Sequence, residues 1–285
     1  MTTTSSSEGV TASRRVRVAA TVLRWLSPRL WFVEDEAPSL AALAPAGGNC
    51  IDVGAEFGLY TVLFAEAVGA TGRVVAVEAN PALAHRLRRL MAALGAVHVE
   101  VVPAAIVAED SADRVRLSIP YRYGVPVWGR AYVLDGTGHP GPNDEFTSCR
   151  EVSVSSVTLD RVTTLLSLDH VDLIKSDVEG AELAMLIGGT DVLERQRPIW
   201  MLELEDRHLD KYGASTSSVT ERFDAAGYDM YRFVGHRLEK CTLVGDGRNC
   251  VFAPRERALL DEKMTAFGPE HQMPCGEERS AQRGT

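Results

Sequence analysis

Apolar residues recur along this chain in two rhythms. Short runs rich in β-branched residues stand at Cys50–Val53, Arg73–Glu78, His98–Val102, Val171–Ser176 and Ile199–Glu203. Runs of this length read as strands, and their alternation with helical patterns predicts a mostly parallel sheet wound on both faces. The helical patterns, with apolar residues at three- and four-residue steps, fall at Leu59–Val68, Pro81–Leu94 and Ala181–Gln196. Near the end, "SVTERFDAAG" places Ser218 and Glu221 in capping-box spacing and closes on Gly227. The segments "YDMYRFV" and "RNCVFAPR" then read as paired strands around a glycine turn.

The ends of the chain follow other patterns. Residues 13–46 are mostly helical, with Val16, Ala19, Leu23, Leu26 and Leu30 on one side and Pro28 and Pro38 dividing the segment. They predict a helical cap on a main domain covering 47–254. Residues 1–12 are Ser/Thr-rich and read as disordered, and 255–285 read as a loose tail. One stretch interrupts the strand–helix alternation. Residues 121–149, "YRYGVPVWGRAYVLDGTGHPGPNDEFTSC", are too long for an ordinary connection, and their three tyrosines and one tryptophan argue against simple disorder. They read as a lid or substrate-side insertion.

Composition narrows the partners. The 285 residues are 45% hydrophobic and carry a formal net charge of −9, which disfavours a general affinity for nucleic acid or anionic membrane. No apolar run reaches the roughly 20 residues that span a bilayer, and the N-terminus lacks the apolar core of a secretion signal. The five cysteines, Cys50, Cys149, Cys241, Cys250 and Cys275, show no metal spacing and read as free thiols in a cytoplasmic protein. Cys241 and Cys250 flank the predicted hairpin.

The chemistry begins at "CIDVGAEFGLYT", where Asp52, Gly54 and Gly58 form D-x-G-x-x-x-G at a strand-to-helix junction ending in Thr61. A dinucleotide site would want G-x-G-x-x-G under a pyrophosphate, and here the carboxylate of Glu56 would repel that group. S-adenosylmethionine carries no phosphate. Its sulfonium and ammonium suit an acidic surround, and its carboxylate can use free amides at a helix start. Glu78, 24 positions beyond Gly54 at the tip of the second strand, is placed to accept bonds from two ribose hydroxyls. After the third strand, Ala105 and Ile106 fall near an adenine, with Glu109 or Asp110 within reach of its amino group. An NAD-dependent oxidoreductase and a non-catalytic cofactor-binding relic are the competing classes.

Taken in order, "IDVGAEFGLYT", "VVAVEANP", "SVTLDRV" and "DLIKSDVEGAEL" resemble the FkbM-type family of S-adenosylmethionine-dependent methyltransferases over about residues 34–254. The resemblance implies a class I methyltransferase (Rossmann-like) α/β fold, with a seven-stranded sheet whose last strand is antiparallel. It also implies O-methylation of sugar or polyketide hydroxyls, a small-molecule acceptor typical of natural-product biosynthesis. The chain departs from the family pattern at Glu56, where Asn is usual, at Ser176, where an apolar residue is usual, and at Ala79, where Pro commonly follows the acid.

O-methylation needs a base beside the acceptor hydroxyl or a metal that acidifies it. Asp177 and Glu179, just beyond a buried strand at the ligand-facing end of the sheet, are the candidate catalytic residues. Glu182 reads as a helix-terminal residue complementing the helix dipole. Asp177 with Glu203 would suit Mg²⁺ through hard oxygen ligands, and His139 and His208 are alternative bases. Tyr121, Tyr123, Trp128 and Tyr132 fit either stacking on an acceptor or a small core of the insertion. A carboxyl acceptor would need no base but would want Arg122 or Arg130 nearby. An N-methyltransferase on the same fold also stays open.

Overall fold

The computed structural model describes residues 11–26, 36–110, 112–244 and 248–257. Pro28, Leu30, Cys275, the first ten residues and the tail from 258 onward lie outside them. Helix α1 (Arg14–Leu26) buries Val16 and Ala20, and α2 (Ala37–Ala41) carries Pro38 in its first turn, where a missing N–H costs nothing. Both lean on α3 (Leu59–Val68), which follows β1 (Asn49–Val53) and is buried on nearly every side. Strand β2 (Arg73–Val77) leads into α4 (Pro81–Leu94). That helix starts at the sequence-predicted residue because Asn80 accepts from the Ala82 amide and Pro81 presets the first turn, and it stops at Gly95. Strand β3 (Val99–Val102) completes this half.

The chain next builds something the strand–helix rhythm does not announce. Strands β4 (Ala104–Ile106), β5 (Arg114–Arg122), β6 (Val125–Pro126), β7 (Tyr132–Val133) and β8 (Ser148–Val157) form a second sheet of order β4-β8-β5-β6, with β7 beside β5. The long antiparallel pair β5–β8 runs from Arg114 opposite Ser155 to Tyr121 opposite Ser148. Residues 121–149 are therefore the folded end of a hairpin, not a separate loop. Val115, Leu117, Ile119 and Val154 share one face of it and pack with Ala105.

Helix α5 (Leu159–Leu165), strand β9 (Leu173–Ser176) and helix α6 (Glu182–Ile187) return to the main sheet. The single helix expected over Ala181–Gln196 is split at Gly188-Gly189, residues of low helix propensity, and resumes as a π-turn at Val192–Gln196. After β10 (Ile199–Glu203) come the one-turn α7 (Asp206–Leu209) and α8 (Thr216–Ala225). The latter begins a turn before the expected box, because Ser215 and Ser218 satisfy each other's backbone N–H groups at 3.2 and 3.0 Å. Strands β11 (Tyr228–Val234), β12 (Arg237–Cys241) and β13 (Asn249–Pro254) finish the chain.

The main sheet runs β12-β11-β13-β10-β9-β1-β2-β3. β1, β2, β3, β9 and β10 are parallel, and β13 is antiparallel to both of its neighbours. This is the class I methyltransferase order with an eighth strand, β12, at the edge. β11 and β13 do pair, with Met230 opposite Phe252, but the turn after β11 leads into β12. Burial decides which strand goes inside: Cys250 to Pro254 are all buried, whereas the polar β12 is mostly exposed. Alternate residues of each central strand feed opposite cores. Cys50, Val74 and Leu173 meet α1, α3 and α4, while Ile51, Val75, Ile174 and Trp200 meet α5, α6 and α8. Fully burying each such side chain is worth about 1.5–3 kcal/mol. The two cores fix the carboxyl ends of β1, β2 and β9 side by side.

Candidate active site

Those carboxyl ends and the β5–β8 sheet enclose an open cleft. Among the seven residues expected at a cofactor, Gly54, Glu56, Glu78 and Ala105 line it. Gly54 has φ of +73°, and a Cβ there would lie 1.9 Å from the Asp177 carbonyl oxygen. The glycine is therefore demanded by the β9 loop, whose backbone occupies the space where a side chain would be. Glu56 also takes a left-handed conformation, φ +46°, and its amide donates to Glu78 Oε2 at 2.8 Å.

Glu78 closes the end of β2. Its second oxygen accepts from the Asn80 amide at 2.7 Å, so both carboxylate oxygens are aimed by backbone donors. Burial pushes its pKa up to about 7, with the charges of Glu56 and Asp52 adding to the rise and the two amides opposing it. Ala79, Trp128 and Ala105 stand beside it as an apolar wall.

Asp52, Gly58 and Thr61 do not line the cleft. Asp52 is wholly buried beneath its floor, where it accepts from the Thr61 hydroxyl at 2.5 Å. Burial raises its pKa, and the neighbouring Lys175 charge and the Thr61 bond pull it back. Gly58 is the left-handed cap of α3, packed against Leu87. These three hold β1 to α3 and so shape the loop that lines the cleft. Asp110, expected near an adenine, instead accepts from the Thr158 amide at 3.0 Å and pairs with Arg161. Both it and Glu109 stand outside the cleft lining.

Asp177 and Glu179 both line the cleft, but their surroundings differ. The only charged partner of Asp177 among the described residues is Lys175, whose Nζ is 3.6 Å away, and its side chain is 30% exposed. Glu179 is 13% exposed and sits beside His208, Lys211 and Arg130. His208 Nδ1 is 2.6 Å from its Oε2, Lys211 Nζ 3.9 Å and Arg130 Nε 4.0 Å, none aligned as a hydrogen bond. Glu179 and Gly180 both have positive φ, and the buried Glu182 carboxylate accepts from the Val178 and Gly180 amides to hold that turn. Burial pushes Glu182 up to about 7 as well.

A small recess beyond Asp177 is lined by Glu179, Glu203, Glu205 and His208. Glu203 faces Arg248 at 3.7 Å and Glu205 faces it at 3.0 Å. Burial opposes ionisation of Glu205, but the Arg207 hydrogen bond and nearby positive charge outweigh it and lower its pKa. Among the described residues no group of three or more His, Cys, Asp or Glu side chains is placed to hold a metal ion. Asp177 and Glu203 both line this recess.

The insertion forms the remaining wall through Trp128, Gly129, Ala131, Tyr132 and Val133. It is docked on the segment after β10. Tyr212 donates to the Val133 carbonyl at 2.7 Å, Gly138 to the Lys211 carbonyl at 2.8 Å, and His139 pairs with Asp210 at 3.1 Å. Gly141, at φ +59°, lies so close that a Cβ would sit 2.6 Å from Lys211 Cγ. The Lys211 ammonium is wholly buried, 4.4 Å from the Tyr132 ring, and burial lowers its pKa to about 8. Tyr121 packs in the small core of this sheet and Tyr123 is fully exposed at its tip. Arg122 pairs with Glu145 at 3.1 Å, away from the cleft, and Arg130 bonds Asn143. Sequence reasoning missed Lys175, Lys211 and Tyr212. Lys175 left a signal, a lysine inside a buried apolar strand; Lys211 and Tyr212 left none.

No curated protein sequence matches the chain at a significant level. Solved structures with some likeness include a methyltransferase FkbM from Methylobacillus flagellatus KT, at 14% identity and TM-score 0.45, covering 79% of this chain and 46% of that one. An S-adenosylmethionine-dependent O-methyltransferase from Thermotoga maritima is 13% identical at TM-score 0.39, covering 79% of this chain and 65% of that one. A fibrillarin from Aeropyrum pernix, with natively bound S-adenosyl-L-methionine, is 12% identical at TM-score 0.40, covering 83% and 74%. The chain thus spans about half the length of the Methylobacillus protein and about two thirds of the Thermotoga one. The family model of the methyltransferase FkbM domain matches residues 52–230, from the buried Asp52 to the middle of β11, and so takes in every cleft-lining residue. The chain belongs to the FkbM family of S-adenosylmethionine-dependent methyltransferases.

Proposed function

We propose that the protein is an O-methyltransferase that acts on a hydroxyl of a small natural product, sugar or glycoside, with Asp177 as the base. One observation carries this reading: Asp177 is the cleft carboxylate that faces a single ammonium and remains open to a ligand. Glu78 is committed to two backbone amides, and Glu179 is flanked by Lys211, Arg130 and His208. A base must reach the proton it takes and accept it without breaking a stronger ion pair. Asp177 meets both conditions.

S-adenosylmethionine, when bound, supplies a methyl group on a cationic sulfur. The donor set suits it: four carboxylates, Glu56, Glu78, Asp177 and Glu179, line the cleft, and no lining side chain is cationic. Glu78 would hold the ribose hydroxyls, the apolar wall of Ala79, Ala105 and Ile106 the base, and Glu56 the positively charged end. Asp177 orients the acceptor hydroxyl and takes its proton. The docked insertion excludes water from above. The same lining speaks against a carboxylate acceptor, since Arg122 is turned to Glu145 and Arg130 is held between Asn143 and Glu179. An amine would be held as an ammonium among these acids, without the lone pair that methylation needs. The buried Cys50 and Cys250, with thiols pushed up by burial, act as packing groups, in keeping with a cytoplasmic protein.

Asp177→Asn tests the assignment. With a panel of glycosides and polyketides as acceptors, turnover should fall by ~10²–10⁴-fold while affinity for S-adenosylhomocysteine changes little. Wild-type turnover in a stably folded variant would remove Asp177 from the chemistry.

A further inference from the structure

The net charge of −9 hides a strong segregation. Helices α1 and α4, with the residues at their ends (11–26 and 81–97), contain seven arginines and no acid. The two helices are joined where α1 begins: Ser13 Oγ donates to the Leu94 carbonyl at 2.6 Å, and Arg15 to the Ala93 carbonyl at 2.9 Å. Arg24 is paired with Glu66, Arg88 reaches the Val101 carbonyl, and Arg86 lies over Trp128. Arg14, Arg15, Arg17 and Arg89 are exposed, and no described carboxylate pairs with them.

The outer face of α1 is also apolar. Its inner stripe, Val16 and Ala20, is spent in the core. Val18, Val22 and Trp25 follow at i, i+4 and i+7 on the opposite side, 56%, 48% and 56% exposed. Leu90 and Val97, at the α4 end, are exposed as well. An apolar stripe with a tryptophan, flanked by arginines, matches the chemistry of a helix lying in a lipid headgroup layer. A second copy of this face would bring like charges together. Nucleic acid would satisfy the arginines and leave the valines facing water.

We propose that the α1–α4 face docks the protein on an anionic phospholipid surface. Val18, Val22 and Trp25 enter the headgroup layer, and Arg14, Arg15, Arg17 and Arg89 meet the lipid phosphates. The inference is independent of the acceptor and of the base. No described helix is long and apolar enough to cross a membrane, so the attachment is peripheral.

Co-sedimentation of the full chain tests it, using vesicles of phosphatidylcholine alone and of equal parts phosphatidylcholine and phosphatidylglycerol. The protein should sediment with the mixed vesicles only, and less as salt is raised. R14Q/R15Q/R17Q should bind roughly a hundredfold more weakly, since each arginine near such a surface contributes about a fivefold gain. V22S/W25S should bind more weakly at every salt concentration. Both variants should keep wild-type S-adenosylhomocysteine affinity, which shows that they are folded. Equal sedimentation with both vesicle types, none at low salt, or unaltered binding by the arginine variant would overturn the proposal. So would duplex DNA stripping the protein from vesicles at equal phosphate concentration. Light scattering that finds a dimer dissolved by V22S/W25S would assign the face to self-association instead.

Discussion

Glu78 makes a quantitative link between burial and cofactor affinity. In the free protein its pKa is raised from 4.5 to about 7, chiefly by burial. At about 1.4 kcal/mol per pH unit, holding it ionised in the folded protein costs ~3 kcal/mol. The raised folded pKa means that its stabilising contribution is full below 4.5 and is lost as pH rises through about 7. A ribose diol that donates two hydrogen bonds to the carboxylate offsets that cost, so binding should prefer the ionised form. At pH 8 most Glu78 is ionised, and at pH 6 only about a tenth is. Affinity for S-adenosylhomocysteine should therefore fall about tenfold from pH 8 to pH 6, or ~1.4 kcal/mol. Isothermal calorimetry at the two pH values measures it, with the ligand-induced rise in Tm as a second readout. Glu78→Gln removes the charge and turns an NH₂ group towards one of the two backbone donors. It should bind at least about tenfold more weakly than wild type at pH 8 and show no comparable pH dependence. A flat wild-type profile, or a variant equal to wild type at pH 8, would refute the assignment of Glu78 to the ribose.

Thr61→Val removes the hydroxyl that donates to the buried Asp52 carboxylate. It should destabilise by about 1–3 kcal/mol in thermal melts yet leave S-adenosylhomocysteine affinity little changed, whereas a large loss of affinity would return Asp52 and Thr61 to direct contact. Gly54→Ala forces a methyl group against the Asp177 carbonyl in a left-handed conformation. A loss of the order of 3 kcal/mol or more is expected in denaturant titration, and a stable variant would mean that the β1 and β9 loops do not touch. In limited trypsin digestion the exposed tip at Arg122 should be cut while Arg130, docked beside Asn143 and Glu179, is protected. Gly141→Val should open that site by pushing the insertion off Lys211. Cutting at Arg130 in the free wild type that stops on ligand addition would show a mobile lid.

The sequence by itself determined the frame. Central strands buried on both faces are mostly apolar along their whole length, so β1, β2, β9 and β10 were legible within a residue or two. Asn80, Pro81 and Gly95 are local stop and start signals, and α4 was legible to the residue. The position of Glu78 at the end of β2 was legible because a strand tip at a fixed distance from the first glycine loop is set by the βαβ unit itself. The second sheet was not read, although the alternation in "RVRLSIP" and "EVSVSSV" carries its period of two. Alternation says that a strand has a buried face and leaves open what it packs on. Only the tertiary structure decided that Asp52 and Thr61 lie under the floor, since the packing of α3 on β1 turns these two side chains towards each other and away from the cleft. Tertiary structure also set Glu179 between Arg130 of the insertion and His208 and Lys211 of the segment after β10, which lie far apart in the chain. The charge around a side chain depends on which segments pack beside it, and packing is a property of the whole fold. Asp177 and Glu179 are two residues apart on one loop, and their neighbours in space leave one open to a ligand and flank the other with Lys211, Arg130 and His208.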